Sequence, residues 1–316
     1  MSEVKVSVIG VGFWGRNHAR VISELEDAVL ESIYDLNPSV ARRVAERFKC
    51  HVASSLEEAI RRSDAVTICT PTSTHYEIAL KVIREGRHLL VEKPMTMRSI
   101  EALKLISEAE RRGVLLTVGH IERFNMGVHR LLELVEKGSL GEVLSIRAKR
   151  VSGGAGRITD VGVMLDLAIH DLDLAMFILR DKPKTIYSIA GRRLSTEHED
   201  YAYVMISMQG GGQVYVESSW LTKSKVRLME VTGTNGVATL NFLTQEVSVV
   251  LGNEEFKLSG EWVEPLKLEL ENFVKSVRGY SKPLVSAVDG YRALKCAELA
   301  LKSSELGRPV EVEFEL

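Results

Sequence analysis

Apolar residues in the first third of this chain fall into short runs separated by helical stripes; in the second half they form closely spaced alternating runs. A β-branched run, Val4–Ile9, comes first, and further runs follow at Val29–Asp35, Ala65–Cys69, His88–Val91 and Val114–Val118. Between them, apolar residues spaced three and four apart predict helices over Asn17–Glu24, Ser39–Phe48, Ser55–Ile60, His75–Glu85 and Ser99–Arg111. Strands that alternate with helices predict a parallel, doubly wound sheet with helices on both faces. Beyond residue 119 the pattern changes. A helix over Val128–Lys137, a strand over Val143–Val151 and a helix over Val163–Leu179 precede consecutive strand runs from residue 184 to 258. Their short Gly and Asn connections predict a mostly antiparallel sheet. Helices over Pro265–Val277 and Val288–Ser304 and a strand over Pro309–Phe314 complete the pattern.

The expected fold is therefore α/β. A doubly wound parallel-sheet domain spans 1–119, and an α+β domain with an open, mostly antiparallel sheet spans 120–316. At 316 residues, two domains are also the natural expectation from length. Alternation in Tyr201–Ile206 and Val214–Glu217 is not cleanly polar on either side. Such a sheet would bury one face under helices and the other against a second subunit.

Composition narrows the classes. A net charge of −2 creates no global field to attract nucleic acid or anionic lipid, so neither is an expected partner. The three cysteines, Cys50, Cys69 and Cys296, are far apart and form no CxxC pair, so no disulfide framework and no metal site are expected. No stretch approaches the ~18 apolar residues of a membrane span, and a cytoplasmic location is the expectation.

The first strand runs into Gly10-Val11-Gly12-Phe13-Trp14-Gly15, a GxGxxG turn ahead of a helical pattern. Gly10 permits the tight turn, Gly12 lets the backbone approach a pyrophosphate, and Gly15 lets the helix pack close to the strand. Asp35 ends the second strand twenty residues after Gly15, where a carboxylate can accept hydrogen bonds from ribose hydroxyls. It would repel a 2′-phosphate, and Leu36 and Asn37 offer no offsetting cation, so NAD is favoured over NADP. Thr70-Pro71-Thr72-Ser73-Thr74-His75 follows the fourth strand and Glu92-Lys93-Pro94 the fifth, both on the side where ligands collect in open α/β sheets. Lys93 could donate to a substrate oxygen. Asp166 and His170, four residues apart, would share a helix face, with the imidazole suited to taking a hydroxyl proton.

With Gly10–Gly15, Asp35, Thr70–His75, Glu92-Lys93-Pro94 and Asp166…His170 in this order, the chain resembles the Gfo/Idh/MocA oxidoreductases over nearly its whole length. The resemblance implies an N-terminal Rossmann domain and a C-terminal sheet through which subunits join as homodimers or homotetramers. It also implies reversible oxidation of a sugar or cyclitol secondary alcohol by NAD(P), with Lys93, Asp166 and His170 catalytic. Phe13, Trp14, Thr70, Pro71, Thr72, His75, Glu92 and Lys93 join the glycines and Asp35 as cofactor-binding candidates. Gly119-His120-Ile121-Glu122-Arg123-Phe124-Asn125 resembles the signature of the UDP-N-acetylglucosamine 3-dehydrogenase branch, with Met126 where proline is usual. His120, Arg123, Phe124, Asn125 and Arg157 are accordingly candidates for substrate contact, and Arg150 is a further candidate for a diphosphate. Two alternatives stand beside the nucleotide-sugar reading: a dehydrogenase of a free cyclitol or sugar, and a non-catalytic NAD sensor.

Overall fold

The computed structural model of the chain describes residues 3–153, 160–195 and 197–316. In chain order the elements are β1 (Val4–Ile9), α1 (Phe13–Glu24), β2 (Ala28–Tyr34), α2 (Pro38–Phe48), β3 (His51–Val52), α3 (Leu56–Arg62), β4 (Ala65–Ile68), α4 (His75–Arg84), β5 (His88–Glu92), α5 (Ser99–Arg112) and β6 (Leu116–Gly119). There follow α6 (Met126–Glu136), β7 (Val143–Gly153), α7 (Ile169–Leu179), β8 (Pro183–Gly191), β9 (Tyr201–Met208), β10 (Gln213–Ser219), β11 (Leu221–Gly233), β12 (Gly236–Asn241), β13 (Glu246–Leu251) and β14 (Glu254–Leu258). The chain closes with α8 (Pro265–Val277), α9 (Ala287–Leu306) and β15 (Val310–Glu311).

Two compact units form, and they are not the consecutive segments 1–119 and 120–316. Met1–Ile121 and Pro265–Tyr291 make the first, and Glu122–Glu264 and Arg292–Leu316 the second. The reason lies in α8. Its apolar stripe, Leu266, Leu270, Phe273 and Val274, is buried in the same core as Val4, Val11, Ala19 and Ile22. That burial against α1 outweighs continuity along the chain.

In the first unit six parallel strands take the order β3-β2-β1-β4-β5-β6. The order reverses between β1 and β4, and ligands bind beyond the carboxyl ends of the strands at such a switch point. In the second unit nine strands take the order β14-β13-β12-β11-β7-β10-β9-β8-β15. All neighbours are antiparallel except β7 and β10. Its inner face, including Ile146, Ala148, Val204, Ile206, Val216 and Val231, is buried, and α7 packs on β7 and β10 there. The segment expected as one helix over Val163–Leu179 begins instead with a π-helical turn, Met164–Ala168, before α7. No helix among the described residues is long and apolar enough to cross a membrane.

Candidate active site

The turn after β1 shows why glycine stands at its three positions. Gly10 has φ +80°, and a Cβ there would lie 2.7 Å from Thr70 Cγ2 and 2.9 Å from Thr70 N. A Cβ on Gly15 would sit 1.8 Å from the Gly10 carbonyl oxygen, so strand end and helix start touch backbone to backbone. Gly12 differs: a Cβ there would meet nothing within 4 Å. That space lies at the head of α1, which has no side-chain cap and no acidic residue in its first turn. The helix therefore presents its positive end without a carboxylate of its own first turn, as suits an anion such as a pyrophosphate.

Asp35 closes the far side of this turn. One carboxylate oxygen accepts the Val11 N–H at 2.8 Å and the other the Asn37 N–H at 2.8 Å. Each oxygen keeps a second lone pair, which leaves acceptors for ribose hydroxyls. Capping the β2 turn and serving a ribose are thus compatible jobs for one carboxylate. Phe13 and Trp14 are partly exposed and meet edge to face at 5.6 Å. These residues fit a bound NAD: α1 for the pyrophosphate, Asp35 for the adenosine ribose.

Two residues grouped with the cofactor in the sequence turn inward instead. His75 is buried, with Nδ1 2.9 Å from the Pro94 carbonyl oxygen and Nε2 2.9 Å from that of Thr70. It ties the loop after β4 to the loop after β5, and its two nitrogens are used in doing so. Glu92 is buried too: Oε1 lies 3.0 Å from His18 Nε2, and Oε2 accepts the Lys93 N–H at 3.2 Å. Both therefore position the loops that carry Thr70 and Lys93. Thr70 and Thr72 stay at the carboxyl end of β4, where Thr74 Oγ1 donates to Thr70 Oγ1 at 2.8 Å. The Lys93–Pro94 peptide is cis.

In the second unit, Asp166 lies in the π-helical turn and His170 is the second residue of α7. Asp166 and His170 thus stand about one turn apart across a π turn, which closes from i to i+5, rather than within the single α-helix that the spacing predicts. Single π turns inside helices frequently mark functional sites. Asp166 is buried and its Oδ2 accepts the Trp220 indole N–H at 3.2 Å, while its own N–H donates to the Gly162 carbonyl at 2.9 Å. Glu199 accepts the Met164 N–H at 3.0 Å, and its carboxyl packs where a Cβ on Gly162 would lie. Neither Trp220 nor Glu199 was legible as a partner, because each is more than thirty residues away along the chain.

The segment 119–125 gives the main corrections. Arg123 is 4% exposed, makes a bidentate pair with Asp173 at 2.6 and 2.8 Å, and stacks over Phe177 at 4.5 Å. Its planar fork is satisfied inside the unit rather than held out to a substrate. Asn125 caps α6 by accepting the Gly127 N–H at 2.9 Å and donates to the Phe242 carbonyl at 3.1 Å. Phe124 and His120 are buried. Arg150 is likewise committed, bonded to Asp171 at 2.8 and 2.9 Å and to Glu122 at 2.7 Å. Burial opposes its charge, but Asp171 and Glu122 more than offset this and hold the guanidinium more firmly protonated than usual. Arg157 lies outside the described residues.

Residues 4–120 match the oxidoreductase family with an NAD-binding Rossmann fold, and residues 128–239 match the GFO/IDH/MocA C-terminal domain. The chain belongs to the Gfo/Idh/MocA oxidoreductase family. As in that family, it is an NAD-dependent dehydrogenase acting on CH–OH groups, built on a Rossmann domain and a second, mostly antiparallel sheet. UDP-N-acetylglucosamine 3-dehydrogenase of Acidithiobacillus ferrooxidans is 28% identical over 94% of this chain and 96% of its own. The solved structure of that enzyme, GnnA, aligns with a TM-score of 0.88, covering 97% of this chain and 99% of its own. Myo-inositol 2-dehydrogenase of Thermotoga maritima is 27% identical over 98% of this chain and 99% of its own. GenD2 from gentamicin A biosynthesis, solved with NAD, aligns with a TM-score of 0.89 at 26% identity, covering 99% of this chain and 97% of its own.

Proposed function

We propose that this oxidoreductase oxidises the C3 hydroxyl of UDP-N-acetylglucosamine to the 3-keto sugar nucleotide. The observation that carries the reading is the end-to-end likeness to a UDP-N-acetylglucosamine 3-dehydrogenase, in sequence and in structure. NAD, when bound, supplies the acceptor for the hydride leaving C3. The His170 imidazole takes the hydroxyl proton, Asp166 orients the substrate hydroxyl or the imidazole, and the Lys93 ammonium stabilises the developing oxyanion. Asp166 suits an orienting role because Trp220 and the π turn hold it in place.

A second reading, oxidation of a free cyclitol or sugar, draws support from Arg123 and Arg150. Both are buried in ion pairs with protein carboxylates, an arrangement that favours a substrate without a diphosphate. The two substrates separate in one assay: NAD reduction by the purified protein with UDP-N-acetylglucosamine or myo-inositol, hydrazine being present to trap the ketone. The expected result is turnover with the sugar nucleotide. Turnover with inositol alone overturns the nucleotide-sugar reading and keeps the catalytic one; no reduction of NAD with either overturns both.

We also infer that two copies of the chain meet through the outer face of the nine-stranded sheet. Tyr203 and Met205, on β9, are 49% and 51% exposed, and Tyr215 on the neighbouring β10 and Leu228 on β11, beyond β7, lie on the same face. Rows of Arg147, Lys149, Glu217 and Glu230 cross it, with Lys149 and Glu217 paired at 3.1 Å. Opposite charges beside apolar centres suit a self-complementary, two-fold contact. Sedimentation is expected to show a dimer or tetramer for the parent and a monomer when Tyr203→Lys and Met205→Lys are combined. A monomeric parent at micromolar concentration would contradict the inference.

A further inference from the structure

Behind Lys93, inside the first unit, lie three titratable groups that the proposed chemistry leaves unused. His18 comes from α1, Glu92 from the end of β5 and Glu269 from α8, and their donor atoms all lie within 4.8 Å of one another. His18 is fully buried and Glu269 is 2% exposed. His18 Nε2 and Glu92 Oε1 are 3.0 Å apart, whereas neither carboxyl oxygen of Glu269 has a hydrogen-bond partner among the described residues. Glu269 sits on the apolar stripe of α8, flanked by Leu266, Leu270 and Phe273.

Two ionised carboxylates cannot share such a site without a compensating cation. At these separations in a low-dielectric interior, like charges repel strongly. The imidazole of His18, like the charges of Lys93 and His75, acts on Glu92, and no cation among the described residues offsets Glu269. The second carboxyl must therefore bind a proton or the cluster must bind a metal ion. His18 and Glu92 already bond to each other directly, and a metal between them would have to break that bond. A proton on Glu269 requires no rearrangement.

We propose that Glu269 is a neutral carboxylic acid in the native protein, and that the His18–Glu92–Glu269 triad is a positioning device for Lys93. The link to Lys93 is a single hydrogen bond. Glu92 Oε2 accepts the Lys93 backbone N–H at 3.2 Å, so whatever holds the Glu92 carboxylate holds the start of the loop that carries the lysine. Gly119 bounds the other side: a Cβ there would lie 3.0 Å from Glu92 Oε2, which leaves the carboxylate little room to swing away. Burial, with the Glu92 charge adding to it, raises the Glu269 carboxyl well above the ordinary glutamate value. Burial also opposes ionisation of Glu92, but the His18 bond and charge, then Lys93 and His75, bring its carboxyl below that value. Cys69, after β4, is a further titratable neighbour among the described residues; burial first, and then the Glu92 charge, push its thiol up, so it stays neutral. The assignment of the proton is independent of the catalytic reading; the positioning role rests on Lys93 serving the substrate.

The test begins with infrared difference spectroscopy of the intact protein at pH 7, comparing the parent with Glu269→Gln. A protonated-carboxyl stretch in the parent, absent from the variant and shifted in heavy water, is expected. Its absence overturns the proposal, and one tightly held divalent ion per chain by elemental analysis would make the triad a metal site instead. Glu269→Gln mimics the neutral acid and is expected to keep turnover, whereas Glu269→Leu, with the same fold by circular dichroism, should lose kcat with little change in KM. Unchanged kcat in Glu269→Leu overturns the positioning role. Should Lys93→Met itself retain turnover, the catalytic reading fails while the infrared result still decides the proton.

Stability against pH gives a further check. Because the folded value is raised, the native state binds more protons than the unfolded one above about pH 4.3. The parent therefore loses stability from this group as pH rises, until Glu269 ionises in the folded state. Glu269→Gln lacks that loss, so its melting temperature should rise relative to the parent between pH 5 and 9. Parallel melting curves across that range would contradict a proton on Glu269.

Discussion

Replacing His170 with alanine is expected to lower turnover by ~10²–10⁴-fold, the range a positioned general base contributes. NAD affinity should stay unchanged. The residues that fit the cofactor, the Gly10–Gly15 turn and Asp35, belong to the first unit, whereas His170 opens α7 in the second. Isothermal titration with NAD and steady-state kinetics separate the two effects. A variant that binds NAD normally and turns over within threefold of the parent, about 0.7 kcal/mol of barrier by the 1.36 kcal/mol per tenfold rule, removes His170 from the mechanism. Asp166→Asn tests the same turn from the other side. It should retain the fold, because the amide oxygen still accepts the Trp220 N–H, and lose turnover.

The largest effect on stability is expected from Arg150→Met. Its guanidinium is buried and bonded to Asp171 through two nitrogens and to Glu122 through the third. Removing one partner of a buried pair leaves an uncompensated charge, which costs about 3–5 kcal/mol. For a domain of this size that corresponds to a fall in melting temperature of roughly 6–20 °C. Combining Arg150→Met with Asp171→Leu should recover much of the loss, since a whole pair exchanged for apolar volume is often nearly neutral. Calorimetry of the single and double variants measures this directly. Were Arg150→Met to melt with the parent and raise only the KM for UDP-N-acetylglucosamine, the arginine would be a substrate residue after all. Arg123 and Asp173 form a second, equivalent clamp, with Phe177 stacked on the guanidinium. Together the two clamps anchor both buried acids of α7, the helix that carries His170.

These clamps also explain where reading the chain went astray. An arginine in a GHxERFN segment offers the same planar fork to a diphosphate as to an aspartate. Which one it meets depends on Asp173, fifty residues further on, whose side chain is aimed by a helix starting after a π turn. Local periodicity carries no record of such a turn, since it differs from an α-helical one by a single residue per turn. Glu269 left a fainter trace: an acid among Leu266, Leu270 and Phe273 at helical spacing marks a buried carboxylate. What faces it, His18 and Glu92, could not be read from α8 at all.

The order of strands and helices, the glycine turn and Asp35 were determined by the sequence alone. They rest on short-range constraints, the two periods of secondary structure and the backbone freedom of glycine, which operate within a few residues. Tertiary structure decided the rest: that α8 returns to the first unit, that His75 and Glu92 face inward, and that Arg123 and Arg150 spend their hydrogen bonds on Asp173 and Asp171. Each of those outcomes depends on which charged or apolar partner arrives from a distant part of the chain. Burial then makes the choice binding, because a charge without its partner in the interior is too costly to leave unpaired.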